Sequence, residues 1–171
     1  MRPCPRPFVN FSGNKENGMK KIASFTVNHD TLEKGMYVSR IDGDVVTYDI
    51  RMKKPNGGDY LNMSAAHTLE HLFATYARNS AFGKHVIYVG PMGCRTGFYF
   101  LVRDTITHTQ AIALVKESMA FARDFEGEIP GNKKEECGNY LDHDLSGAKE
   151  IGKELYEILK NWSENDLKYK E

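Results

Sequence analysis

The segment SAAHTLEHLFA, Ser64–Ala74, sets two histidines four residues apart with a glutamate directly before the second. Helix positions four apart lie on one face about a turn from each other, so His67 and His71 can aim imidazole nitrogens at one ion. Neutral imidazole is a good ligand for Zn²⁺ or Fe²⁺. Glu70, three residues after His67, stands near the same face and can be a third ligand or a base beside the metal. A helix that carries two histidines and no metal is the plain alternative. A catalytic site for such an ion usually has three protein ligands and one open position, so the question is whether the rest of the chain completes one.

Two thiols are the candidates. Cys137 lies in EECGNYLDHD, a polar loop whose Gly138 lets the backbone approach closely. Free cysteines are usually buried, so a cysteine here is out of place as a packing residue, and thiolate is a strong ligand for these metals. The alternative is a half-buried thiol beneath the loop. Cys94 lies in GPMGCRTG, where Pro91 fixes φ and Gly90, Gly93 and Gly97 permit tight turning. Such a turn presents a side chain. A thiol near a dication or Arg95 has a depressed pKa and can shuttle protons as thiolate; a small residue filling a hairpin is the alternative. Of the other histidines, His85 and His108 read as solvated, and His143, in LDHDL, as a brace for the Cys137 loop that could support the ligands.

These residues need elements to position them. IASFTV (22–27), MYVSRI (36–41) and VVTYDIRM (Val45–Met52) read as strands, the last preceded by an Asp42-Gly43-Asp44 turn. A helix is predicted from Met63 to about Asn79, with Asn62 or Ser64 as N-cap and Gly83 as the stop. Its stripe is Leu69, Leu72, Phe73 and Tyr76. HVIYVG (85–90) and GFYFLV (97–102) read as two more strands. Further helices fit Thr107–Phe125 and Ser146–Trp162, with a polar loop over 127–144. The first strands form a meander, and the whole reads as an α+β sandwich, helices against one face of an antiparallel sheet.

The chain has 171 residues, a hydrophobic fraction of 40% and a formal net charge of +0. That is enough for one domain with a sizeable core, and a neutral balance gives no pull toward nucleic acid or an anionic membrane. No apolar run approaches the roughly 20 residues that span a bilayer, and no apolar core follows Arg2 and Arg6 as a secretory signal requires. Three cysteines, Cys4, Cys94 and Cys137, argue for reduced thiols rather than a disulfide framework, and the protein reads as cytoplasmic. Residues 1–18, MRPCPRPFVNFSGNKENG, hold three prolines and no period; they read as a disordered extension ahead of a catalytic domain over 19–171.

With HTLEH, PMGC and ECG in this order, the chain resembles the S-ribosylhomocysteine lyase (LuxS) family, which makes the autoinducer-2 precursor used in quorum sensing. The resemblance runs from about Ile22 to Trp162. SFTVNH, YDIRMKKPN, TYARN and LDHDLSGAK match as well. It implies metal ligands at His67, His71 and Cys137, an acid/base pair at Glu70 and Cys94, and substrate contacts at Ser24, His29, Arg51 and Arg78. It implies a homodimer with both active sites at the interface, so that Ser24 and His29 reach the neighbour's metal. It implies Fe²⁺ as native ion, replaceable by Zn²⁺ or Co²⁺. In place of the family's usual Asp-Ile-Ser or Asp-Val-Ser before Pro-Met-Gly-Cys, this chain has Tyr88, Val89 and Gly90.

The family reaction moves a sugar carbonyl from C1 to C2 to C3 and then breaks the C–S bond by β-elimination, giving homocysteine and 4,5-dihydroxy-2,3-pentanedione. A Lewis acid and two proton shuttles suit it. The rival enzyme reading is a metallopeptidase of the inverted His-x-x-Glu-His type, with Glu70 activating water and Glu135 or Glu136 as third ligand. A closed structural zinc site is disfavoured, since no Cys-x-x-Cys pair exists.

Overall fold

The computed structural model describes residues 22 and 25–170. Ser24 and the extension over 1–18 lie outside the described residues. Four strands form one antiparallel sheet: β1 (Gly35–Asp42), β2 (Val45–Arg51), β3 (Val86–Pro91) and β4 (Gly97–Arg103). Their spatial order is β1-β2-β4-β3. Of the expected opening meander, the β1–β2 hairpin forms; β2 then pairs with β4, and α1 (Met63–Asn79) fills the connection between β2 and β3. The other helices are α2 (His108–Asp124) and α3 (Leu145–Leu159).

Alternation along the central strands sorts the two sheet faces. Val46, Tyr48, Ile50, Phe98, Phe100 and Val102 join one apolar cluster with Leu69, Leu72 and Phe73 of α1, Leu114 and Met119 of α2, and Ile151 and Leu155 of α3. The predicted α+β packing with helices on one face is what forms. The alternate residues Thr47, Asp49 and Arg51 lie on the outer face yet are also buried. No helix among the described residues is long and apolar enough to cross a membrane.

The helix ends follow local rules. Asn62 caps α1, its side chain accepting from the Ser64 and Ala65 N–H groups, which satisfies donors with no intrahelical partner. Thr107 and Gln110 form a capping box on α2, and Asp144 caps α3 by accepting from the Gly147 N–H. α1 stops at Asn79 with Ser80 as C-cap, ahead of Gly83, which opens a 3₁₀ turn instead.

The strand expected over 22–27 does not form among its described residues. Phe25 opens a turn, its N–H donating to the Ile22 carbonyl at 2.9 Å. Ile22 and Phe25 are exposed, so their apolar side chains face outward and do not alternate into the core.

Candidate metal centre

α1 delivers His67 and His71, and the irregular segment between α2 and α3 delivers Cys137 and His143. The ligating atoms of these four all lie within 4.8 Å of one another. His67 and His143 stack at 4.2 Å between ring centroids, and His71 meets both rings edge-on. Cys137 Sγ is 3.3 Å from His67 Nε2 and accepts the Asn139 N–H at 3.4 Å.

The same loop sets which nitrogen of each ring is free. His67 Nδ1 meets the Asp142 carbonyl at 2.8 Å and His71 Nδ1 the Pro130 carbonyl at 2.7 Å. A carbonyl only accepts, so both Nδ1 atoms carry the proton and both Nε2 atoms present lone pairs. Gly131, at φ +71°, lies against His71: a Cβ there would sit 3.2 Å from Nδ1. For His143, the Thr68 hydroxyl donates to the Ser64 carbonyl and accepts the Asp144 N–H, so its 3.1 Å contact with His143 Nδ1 is accepted from the ring. His143 Nε2 is buried without a hydrogen-bond partner. Burial, then the neighbouring His67 and His71, push its pKa below the usual histidine value.

Three imidazole Nε2 atoms and a thiol sulfur converge on one point, and only the Cys137–His67 pair can share a proton directly, while His143 Nε2 is left without a partner. The donor set of nitrogens plus thiolate fits a divalent transition ion. Carbonyls behind His67 and His71 and the Thr68 hydroxyl behind His143 are the supporting contacts such sites use to aim their ligands. His143, expected only as a brace, is thus the fourth member of the cluster. Its signal was out of reach in the sequence, because Thr68 and His143 are 75 residues apart. Gly138 plays no close-approach part: a Cβ added there would meet nothing within 4 Å.

Cys94 belongs to a second centre, on the outer face of the sheet. A pocket of about 220 Å³ is lined by residues including Phe25, His29, Asp49, Arg51, Cys94 and Tyr169. Burial alone would raise the Cys94 pKa, but the hydroxyl and N–H of Thr96 and the charge of Arg51 outweigh it and hold the thiol below its usual value. Cys94 Sγ is 3.1 Å from Thr96 Oγ1 and 3.9 Å from Arg51 Nη1. Arg51 also donates to Thr96 Oγ1 at 2.5 Å, which leaves the threonine proton for the sulfur. The cation near Cys94 is therefore Arg51; Arg95, expected in that place, lies over the Tyr60 ring at 5.5 Å. Thr96 was missed in the sequence, though its spacing of two from Cys94 in a tight turn is a readable signal.

The remaining assigned residues separate. His29 joins Arg51 and Cys94 in the outer pocket, its Nδ1 donating to the Val27 carbonyl at 2.9 Å. Glu70 is half-buried beside the cluster on α1. Arg78 lies on the last turn of α1 and donates to the carbonyls of Val86 and Ile87 at 3.2 and 2.8 Å; it does not line the pocket. Tyr88 and Gly90 go together, since a Cβ at Gly90 would collide with the Tyr88 hydroxyl. His85 and His108 are not simply solvated. His108 Nδ1 meets the Tyr48 hydroxyl at 2.6 Å and His85 Nδ1 the Thr105 hydroxyl at 2.8 Å. The ligand cluster holds no carboxylate among the described residues, and Glu135 and Glu136 are exposed, so the peptidase reading lacks its third ligand.

Comparison with known proteins agrees with this geometry. The chain is 49% identical over 158 residues to the S-ribosylhomocysteine lyase of Clostridium acetobutylicum, covering 90% of this chain and 100% of that one. It is 46% identical over 157 residues to the lyase of the same name from Phocaeicola vulgatus, covering 88% and 98%. It is 47% identical over 157 residues to that of Porphyromonas gingivalis, covering 88% and 99%. The family model described as S-Ribosylhomocysteinase (LuxS) matches residues 22–166, and the chain belongs to that family.

Proposed function

We propose that this chain is a metal-dependent S-ribosylhomocysteine lyase, a carbon–sulfur lyase that releases homocysteine and 4,5-dihydroxy-2,3-pentanedione. The observation that carries the reading is the convergence of the His67, His71 and Cys137 donor atoms on one point, with Glu70 three residues from the first ligand. His67, His71 and Cys137 would hold one divalent ion, Fe²⁺ in the native protein with Zn²⁺ or Co²⁺ able to substitute. When bound, that ion supplies Lewis-acid polarisation of the sugar oxygens.

The chain's own groups then move protons. The open sugar carries its carbonyl at C1 and its sulfur at C5. A base takes the proton from C2 and a proton returns to C1, shifting the carbonyl to C2; the same exchange between C3 and C2 brings it to C3. Removal of the C4 proton then expels homocysteine thiolate from C5. Cys94, its pKa lowered by Thr96 and Arg51, and Glu70 serve as the two shuttles. His29, Arg51, Ser24 and Arg78 are proposed to hold the substrate.

Within one chain, none of the four clustered ligands lines the Cys94 pocket. We infer that a second copy joins the two centres in a homodimer, with His29, Arg51 and Cys94 of one chain facing the ligand cluster of the other. Exposed apolar residues near each half support this: Phe25 by the pocket, Met63 and Leu141 by the cluster. Cys94 and Cys137 are free thiols, which suits the cytoplasm.

The test is to incubate metal-loaded protein with S-ribosylhomocysteine and titrate free thiol. Release of one thiol per substrate, lost on chelation and regained on adding metal, is the expected result. No thiol release from protein shown to carry the ion refutes the reading.

A further inference from the structure

The chain beyond α3 returns to the outer face of the sheet. Trp162 Nε1 donates to the Met36 carbonyl at 2.9 Å, and its ring occupies the space where a Cβ on Gly35 would stand. Leu167 is buried in the main core. The tail then lays the Tyr169 ring on Tyr37, stacked at 5.1 Å between centroids, and turns its hydroxyl to Asp49 Oδ2 at 3.0 Å.

Asp49 and Arg51 are both 3% exposed. Asp49 takes Arg51 in a two-point clamp, Nε to Oδ1 at 3.1 Å and Nη2 to Oδ2 at 2.5 Å. That leaves Arg51 Nη1 for Thr96 and Cys94. Donors therefore run in one sense, from Arg51 through the Thr96 hydroxyl to the sulfur, while Tyr169 feeds the carboxylate that fixes Arg51.

We propose that Tyr169 is a positioning residue for Cys94: its hydroxyl fixes the Asp49 carboxylate, which fixes the guanidinium that holds Thr96 and the thiol in place. Two effects point the same way. The phenol draws charge from Asp49, so the carboxylate cancels less of the Arg51 field at the sulfur. It also fills an acceptor site on a buried carboxylate that would otherwise turn or pull Arg51 away. Burial, then the charge of Asp49, raise the pKa of Tyr169, so the phenol stays a donor through the working pH range. The titratable and charged groups facing Cys94 are Asp49 and Arg51 from β2, Tyr99 from β4, His29 from the N-terminal turn and Tyr169 from the tail.

The inference rests on the role given to Cys94 above, and its test needs no substrate. The full chain, Tyr169→Phe, and a chain ending at Lys168 are alkylated with iodoacetamide across pH, with Cys94 read by peptide mass. In Tyr169→Phe the midpoint of Cys94 alkylation should move to higher pH, with alkylation at neutral pH slowed about threefold or more. The ring stays on Tyr37, so the thermal midpoint should hold. Lyase turnover should fall and recover as pH rises. The shortened chain should show the same shift or a larger one. An unmoved Cys94 profile in both variants overturns the proposal, and so does a lowered thermal midpoint with an unmoved profile. Failure of the Cys94 role looks different: a Cys94→Ala chain with full turnover.

Discussion

The two centres of this molecule are built on opposite terms. At the ligand cluster, every supporting hydrogen bond turns an electron pair inward, from Nε2 of His67, His71 and His143 toward Cys137. The cluster leaves His143 Nε2 buried without a partner. The Cys94 centre closes its own charges: Arg51 is matched by Asp49, and the thiol draws on Thr96 and Arg51. The first arrangement suits a group that waits for an ion, whereas the second surrounds one sulfur with donors that stabilise its anionic form.

That contrast can be broken by single changes. The largest effect should come from Cys94→Ala, which removes the proposed proton shuttle and should lower turnover by about 10²–10⁴-fold while metal content by elemental analysis stays at that of the parent. Glu70→Gln should do likewise. His71→Ala should instead lose the ion. If the halves meet across a dimer, mixing His71→Ala chains with Cys94→Ala chains should recover part of the activity, because one of the two sites then carries neither lesion. No recovery in a mixture proven to exchange subunits would count against a shared site.

Next in size, Asp49→Ala strands a buried guanidinium and should cost about 3–5 kcal/mol of stability in denaturant titration, with metal content unchanged. His143→Ala should weaken metal binding about 10–100-fold in chelator competition and leave Cys94 alkylation as it was. Acidity sharpens the comparison further. Folding lowers the Cys94 pKa, so its contribution to stability is full above the ordinary thiol pKa and is lost as pH falls through the folded value. Its alkylation should therefore persist below the range of a free cysteine, and Arg51→Met should move it back up. The smallest effect is expected from a chain beginning at Met19. If residues 1–18 have no part in either centre, its metal content, thermal midpoint and turnover should match those of the parent.

Much of this was legible because it is local. The i, i+4 histidines, the Asn62 cap and the bounds of α1 all follow from short-range spacing. Cys137 could be read as a ligand because a polar loop gives a buried thiol little reason to exist. What escaped depends on distant closure. The pairing of β2 with β4 is set across the α1 connection, and the place of His143 is set by the loop folding onto Thr68. Arg95 was the natural cation for Cys94 by sequence adjacency, but the left-handed backbone at Arg95, φ +60°, belongs to a turn that sends its side chain to Tyr60. The described residues of 22–27 form no strand because Ile22 and Phe25 stay exposed, and exposed apolar residues carry the same composition as a strand.

Asp144 ties the ends of this design together. Its N–H donates to the Thr68 hydroxyl and the Ser64 carbonyl on α1, and its carboxylate caps α3. It is therefore a clamp between the segment that offers Cys137 and the helix that completes the core. When chelation leaves the lone pairs facing one another, the strain has an end point along the chain. Amide exchange should quicken from about Gly131 to His143 and remain slow from Ala148 onward, so that loss of the ion is felt as a local melting with a sharp downstream border rather than as a weakening of the whole fold.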